Sequence, residues 1–265
     1  FHYFVDEAAL FRKAKEIHRK SLIIDSHCDT PMKFTEGFNF GERHEEVKVD
    51  LPKMQEGQED AVFMVAYLHQ DARDDESLQA ATQKAVDILY QISEQVKLNE
   101  KQVGVAYNVD DLIYLKNAGK KAIFLAIENG YAIGKDLGNL SMFKDMGITY
   151  ITLCHNGSND ICDSAKGEPE HNGLSPFGRK VVKEMNRLGI IIDISHTSVK
   201  TVQDVLELST APIIASHSSS RALCDHPRNL TDDQIKAIAA KGGVVQVCLY
   251  NWFLNKQPNP TILDA

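Results

Sequence analysis

Five short apolar runs in this 265-residue chain end on side chains that can bind a metal ion or move a proton. SLIID (21–25) leads into Ser26-His27-Cys28-Asp29, AIFLAI (122–127) into Glu128, and TYITLC (149–154) into His155. GIIIDI (189–194) with Ser195 leads into His196, and PIIAS (212–216) into His217. Ten histidines placed at random would scatter among helices and loops. His27-x-Asp29 is the tightest pair, because residues i and i+2 of an extended backbone point the same way and can reach one ion. Glu128 closes an otherwise apolar run, where a buried carboxylate calls for a compensating cation. Imidazole nitrogen and carboxylate oxygen are the donors expected of Zn²⁺ or a similar divalent metal, with no thiolate required. The ligands fall into two groups, His27 with Asp29 and His196 with His217, and Glu128 has two oxygens with which to bridge two ions. Such ions sit about 3.5–4 Å apart and share a water whose pKa falls towards about 7, which makes hydrolysis the natural reaction.

Each residue also has a plainer reading. A lone strand-end histidine is more often a hydrogen-bonded structural residue, Glu128 could be a salt-bridged acid, and Arg228 by itself reads as a surface arginine. The metal reading rests on the joint placement. Other constellations are weaker: there is no G-x-S-x-G elbow, and the cluster Ser216-His217-Ser218-Ser219-Ser220 has no partners that read as a triad. Cys154, His155 and Cys162 lack the spacing of a zinc cluster. The chain's five cysteines include no CxxC and read as reduced, buried thiols, with Cys28 facing away from the ions. His69 is a lesser site candidate, and His2, His18, His44, His171 and His226 are assigned to solvated helices or loops.

The elements that must position these residues follow from the apolar runs. With AVFMVAYL (61–68) and GVVQVCL (243–249) there are seven, each rich in β-branched or aromatic residues and apolar on both faces, as in buried parallel strands. Between them lie helical patterns: a long one over roughly 76–98, Ser175-Pro176 opening PFGRKVVKEMNRLG, SVKTVQDVLELS (198–209), and the capping box Thr231-x-x-Gln234. Strand–helix alternation predicts an α/β fold, a (β/α)₈ TIM-like barrel of the metal-dependent hydrolase type that lacks its last strand in this chain. In such a barrel all the strand ends named above open on one face. A doubly wound open sheet is the competitor, weakened by the absence of GxGxxG after the first strand. No linker or low-complexity tract divides residues 1–265, which read as a single catalytic barrel domain with its C-terminal part missing.

Lys+Arg 29 against Asp+Glu 37 leaves a net charge of −8, which argues against nucleic-acid or anionic-membrane partners. The longest apolar run has eight residues (61–68), far short of a transmembrane segment. The N-terminus lacks the order of a secretion signal and does not begin with Met. Compartment is therefore open between the cytoplasm and a periplasmic or exported location with a signal already removed, and a homodimer is also left open.

The motifs IIDSHCDTP (23–31), AIENG (126–130), LCHNGSND (153–160), IIDISHTS (191–198) and IIASHSSSRALCDHPRNLTDDQI (213–235) together resemble the renal (membrane) dipeptidase family of zinc peptidases, peptidase family M19. The resemblance implies a two-zinc barrel enzyme that hydrolyses free dipeptides, often with a D residue at the C-terminal position. It implies that His27 and Asp29 hold the first zinc, His196 and His217 the second, and that Glu128 bridges them. His155 matches a family histidine that stabilises the tetrahedral intermediate, and Arg228 one that takes the substrate carboxylate. The family also carries an aspartate on its final strand that returns the proton to the leaving amine. Nothing around NPTILDA matches it, so the natural protein is expected to be longer. Rival readings are another two-metal hydrolase, acting on lactones, phosphotriesters or cyclic amides, and a non-catalytic metal-binding barrel.

Overall fold

Side chains alternate between the two faces of a strand, and in β4 (Lys121–Glu128) that period decides where the chemistry points. Ile123, Leu125 and Ile127 pack into the main core with the helices, while Phe124 and Ala126 fall in separate clusters on the opposite face. Glu128 continues this second series. A computed structural model describes residues 6–34, 37–257 and 259–265. The other strands are β1 (Ile24–Cys28), β2 (Ala61–Tyr67), β3 (Val103–Val105), β5 (Ile148–Thr152), β6 (Ile191–Asp193), β7 (Ile214–Ala215) and β8 (Val244–Val245). All pair in parallel within one sheet of order β1-β2-β4-β5-β6-β7-β8, with β3 attached to β4 off this path.

The register aligns Tyr67 with Glu128, Glu128 with Thr152 and Thr152 with Asp193, one layer across four neighbouring strands. Below it, Val65, Ala126 and Tyr150 are fully buried and pack with Phe63, Ile191 and Ile214. These apolar side chains fill the concave side of the curled sheet, and the polar layer lies at its C-terminal rim.

The expected α/β architecture is present, with corrections in detail. Sequence reasoning missed β3, a three-residue strand with a central glycine and no apolar run to mark it. It pairs with Lys121–Ile123, and β5 takes the same edge of β4 from Leu125 onward. The first strand lies later than expected, so His27 is within it rather than after it. The strands after β5 are shorter than their apolar runs. Among the described residues no ladder joins β1 to β8, so the barrel wall is not closed. Gln246 reaches across the gap: Ser26 N–H donates to its Oε1 (3.1 Å) and its Nε2 donates to Asp25 Oδ1 (3.5 Å). Ser26 Oγ also donates to the Ser216 carbonyl at 2.6 Å, drawing the ends of β1 and β7 together.

The helices form as their caps direct. The helix Asp75–Leu98 buries Leu78, Ala81, Ala85, Leu89, Ile92 and Val96, a single stripe at helical spacing. Ser175 caps Pro176–Leu188, which stops at Gly189 in the left-handed region (φ 66°). The capping box of Thr231 and Gln234 opens Asp232–Ala240. No helix among the described residues is long and apolar enough to cross a membrane.

At the end of the sheet opposite the polar layer, Glu59 precedes β2. Burial first, and then the neighbouring Asp25 carboxylate, push its pKa up to about 7 from 4.5. A carboxyl whose folded-state pKa is raised contributes most below its unfolded value, and that contribution is lost as pH rises through 7. Glu59→Gln is therefore expected to leave stability unchanged at pH 4 and to raise it by about 1 kcal/mol at pH 8, read from denaturant midpoints at the two pH values.

Candidate metal centre

Glu128 is 3% exposed, and three imidazoles converge on its carboxylate. His196 Nε2 lies 3.0 Å and His217 Nε2 3.3 Å from Oε1, while His27 Nε2 lies 3.6 Å from Oε2. The two nitrogens of His196 and His217 are themselves only 2.9 Å apart.

Hydrogen bonds on the far side of each ring decide what these nitrogens carry. Tyr150 Oη donates to the Ser26 carbonyl (2.9 Å), so towards His27 Nδ1, 3.0 Å away, it can only accept. Asn156 Oδ1 accepts from His196 Nδ1 at 3.2 Å. Ser216 Oγ donates to Asp193 Oδ2 (2.6 Å) and so accepts from His217 Nδ1 (2.7 Å). In its neutral form each ring thus keeps its proton on Nδ1 and turns the Nε2 lone pair towards a carboxylate oxygen. Acceptors facing acceptors at these distances repel unless a cation lies among them. The donor set therefore fits divalent metal ions, and the outer hydrogen bonds are of the kind that orient ligating histidines.

The electrostatics follow the same logic. Burial and then the Arg228 charge hold His196 at about 3, and burial and then the His27 charge hold His217 at about 3. Both rings are neutral across the physiological range. Burial also opposes the charged form of His27, but Glu128 and Asp29 outweigh it and raise its pKa well above the ordinary value. Burial alone would raise the pKa of Glu128; the charge of His27 and the close approach of the three imidazoles hold it well below the usual carboxylate range.

By distance the candidate ligands form two overlapping groups, His27–Glu128–His217 and Glu128–His155–His196. Glu128 belongs to both, as a bridging residue must. Two features depart from the expected pairing. His217 is near His27 as well as His196, their ring centroids 3.8 Å apart across the open seam. Asp29 joins neither group: it lies just past β1, where the backbone turns (φ −92°, ψ 9°), and its half-exposed carboxylate approaches only His27 Nε2, at 3.4 Å. The rule that i and i+2 share a face stops applying where the strand stops.

His155 stacks obliquely 4.3 Å from His196 and lies 3.5 Å from Tyr67 Oη. Burial lowers its pKa, against the pull of Glu128. Its carbonyl accepts from Ser164 Oγ (2.6 Å), which also lies 3.2 Å from the carbonyl of His196. The His196 carbonyl also accepts from Ala165 N–H (2.7 Å), and these contacts hold a residue whose φ is +69°. Arg228 is 3% exposed, in contrast to its plain reading as a surface arginine. It donates to the His217 carbonyl (3.2 Å) and Ser218 Oγ (3.4 Å), packs over the Phe253 ring, and leaves Nε without a partner among the described residues.

Residues 11–265 match the model of the membrane dipeptidase family, peptidase family M19. The chain belongs to that family. Dipeptidase tcpJ of Claviceps purpurea is 35% identical to this family member over 225 residues, 82% of this chain and 52% of that protein. Uncharacterized dipeptidase C965.12 of Schizosaccharomyces pombe is 34% identical over 278 residues, 96% of this chain and 66% of that one. The chain thus spans about half to two thirds of the curated relatives' length. The probable dipeptidase PvdM of Pseudomonas aeruginosa superposes with a TM-score of 0.87 at 30% identity, covering 94% of this chain and 65% of that structure.

Among the membrane dipeptidase motifs, sequence reasoning missed the groups that lie behind the rings, Tyr150, Asn156 and Ser216, and the Asp193 carboxylate bonded to Ser216. One signal was available. Asp193 interrupts the apolar run GIIIDI as Glu128 closes AIFLAI, and the argument applied to one acid applies to the other. Cys28 meets its expectation: it is buried in the main core, within hydrogen-bonding distance of Thr30 Oγ1, and burial pushes its thiol up to about 12. Cys154 and Cys162 are buried and free. His69 is exposed, His18 lies on the exposed helix Glu7–Lys20, and His44, His171 and His226 lie in loops; His2 is outside the described residues.

Proposed function

We propose that this chain is the catalytic barrel of a metal-dependent dipeptidase that cleaves free dipeptides, including those ending in a D residue. The observation that carries the reading is the convergence of three Nε2 atoms on one buried carboxylate. Family membership and the dipeptidase names of the relatives support the substrate class. His27, Asp29, Glu128, His196 and His217 would hold two ions, zinc by donor chemistry, with Glu128 shared and Asp29 closing on the first from the rim. Bound there, such ions would polarise the peptide carbonyl and supply a nucleophilic water acidified towards neutral pH.

The chain's own residues account for the rest. Arg228 binds the substrate α-carboxylate through its unfilled N–H, a charge-assisted contact that a guanidinium makes well. Fixing that carboxylate beside the ligands leaves room for one residue beyond the scissile bond, which selects dipeptides over longer chains. His155 lies on the same wall as His196 and donates towards the oxygen on which negative charge develops, a contact worth about 3 kcal/mol in comparable sites. The apolar layer of Val65, Ala126 and Tyr150 floors the pocket and keeps bulk water from the carboxylate's far side.

The test is hydrolysis of an L,D-dipeptide by the purified protein, with metal content measured before and after chelation. Turnover that disappears with the metal and returns with zinc is the expected result. Bound metal without turnover points instead to a non-catalytic barrel, and turnover of a lactone but no dipeptide to a different hydrolase.

A further inference from the structure

Asp193 is fully buried at the end of β6, and the catalysis proposed above assigns it no part. Its partners are all uncharged. Oδ1 accepts from the backbone N–H groups of Ser195 (3.1 Å) and Ser216 (2.9 Å). Oδ2 accepts from the hydroxyls of Thr152 (2.6 Å) and Ser216 (2.6 Å). A side chain that only accepts takes the single proton of Ser216 Oγ, and that hydroxyl is left to accept from His217 Nδ1 at 2.7 Å. The backbone N–H of His217 is held as well, by Ser195 Oγ at 3.0 Å.

We propose that Asp193, acting through Ser216, is a positioning residue for the metal centre: it keeps His217 in the Nδ1–H tautomer and so aims the Nε2 lone pair at the ion. This rests on the reading of the pocket as a metal centre. The chain Asp193–Ser216–His217 does with an interposed hydroxyl what a carboxylate bonded directly to a metal-binding histidine does elsewhere.

Asp193→Asn gives the proposal a sharp consequence. The new NH₂ cannot face the two backbone N–H donors, so it turns to the Oδ2 position and donates to the Thr152 and Ser216 hydroxyls. Ser216 then points its own proton at His217 Nδ1, and the ring proton moves to Nε2, into the space the ion needs. Ser216→Ala removes the acceptor without reversing the polarity. Thr152→Val removes a different hydrogen bond to the same carboxylate oxygen and leaves the relay intact, so it reports any merely structural effect.

The experiment is zinc titration of the metal-free protein for wild type and the three variants, with the His217 tautomer read by ¹⁵N NMR in the metal-free state. Asp193→Asn and Ser216→Ala are expected to weaken zinc binding by about 10- to 100-fold. Asp193→Asn alone should show Nε2–H, and Thr152→Val should bind zinc as wild type does. Wild-type affinity in Asp193→Asn, an unshifted tautomer in that variant, or an equal loss in Thr152→Val overturns the proposal. If Asp193→Asn does not fold, Ser216→Ala decides against Thr152→Val, and equal affinities for the two overturn it. A wild-type protein that takes up no zinc would instead remove the metal-centre reading.

Discussion

Glu128→Gln is expected to lower kcat/KM for a free dipeptide by about 10⁴-fold or more and to strip metal from the protein, with the fold retained. The amide keeps the shape of the carboxylate but removes its charge and replaces one oxygen by a donor. In the wild-type protein the carboxylate lies within 3.0–3.6 Å of three ring nitrogens, so it is the only side chain common to both ligand groups. On the proposed two-ion reading, losing it would affect both ions together, whereas loss of a single histidine would affect one group directly. The substituted amide can donate to one of the facing lone pairs, relieving in the metal-free protein the repulsion that a cation otherwise removes. Glu128→Gln should therefore melt no lower than metal-free wild type while failing to gain stability from added zinc. Metal analysis, thermal melts with and without zinc, and steady-state kinetics check each part. Normal turnover in this variant defeats the mechanism.

Arg228→Met should raise KM for dipeptides by about 100-fold with kcat changed only a few-fold, the pattern of an interaction made equally in ground and transition states. A charge-assisted hydrogen bond to a buried guanidinium is worth roughly 1.5–3 kcal/mol, which is about 10- to 150-fold. Methionine keeps the packing on Phe253, so the loss reports the charge and not a cavity. The independent measure is a dipeptide amide, which lacks the carboxylate. Wild type should prefer the free acid over the amide by the same factor, and Arg228→Met should scarcely distinguish them. An unchanged KM, or discrimination that survives the substitution, removes the role assigned to Arg228.

Much of the site was legible in the linear chain because its logic is local. Apolar runs ending in His or acid mark strand termini, and parallel strands put all such termini on one rim. Period-two alternation along Ala122, Phe124, Ala126 and Glu128 directs the Glu128 carboxylate inward without reference to any other part of the molecule. Helix caps at Ser175 and Thr231 are equally local, and both formed as read. The family motifs carried the assignment of ligand types.

What the tertiary structure alone decided depends on residues far apart in the chain. The tautomer of His27 is set by Tyr150, 123 positions away, and that of His196 by Asn156, 40 positions away. No periodicity encodes which nitrogen of a ring is protonated, because that depends on which group from another strand lies behind it. The burial of Arg228 follows from packing against Phe253 and the end of β7, not from its polar neighbours in sequence. Asp29 shows the converse limit. Its type and spacing make it a candidate ligand, but the backbone turns after Cys28, so its carboxylate sits at the rim beside His27. Local sequence dictates which face a side chain starts from; only the curling of the sheet dictates what it meets there.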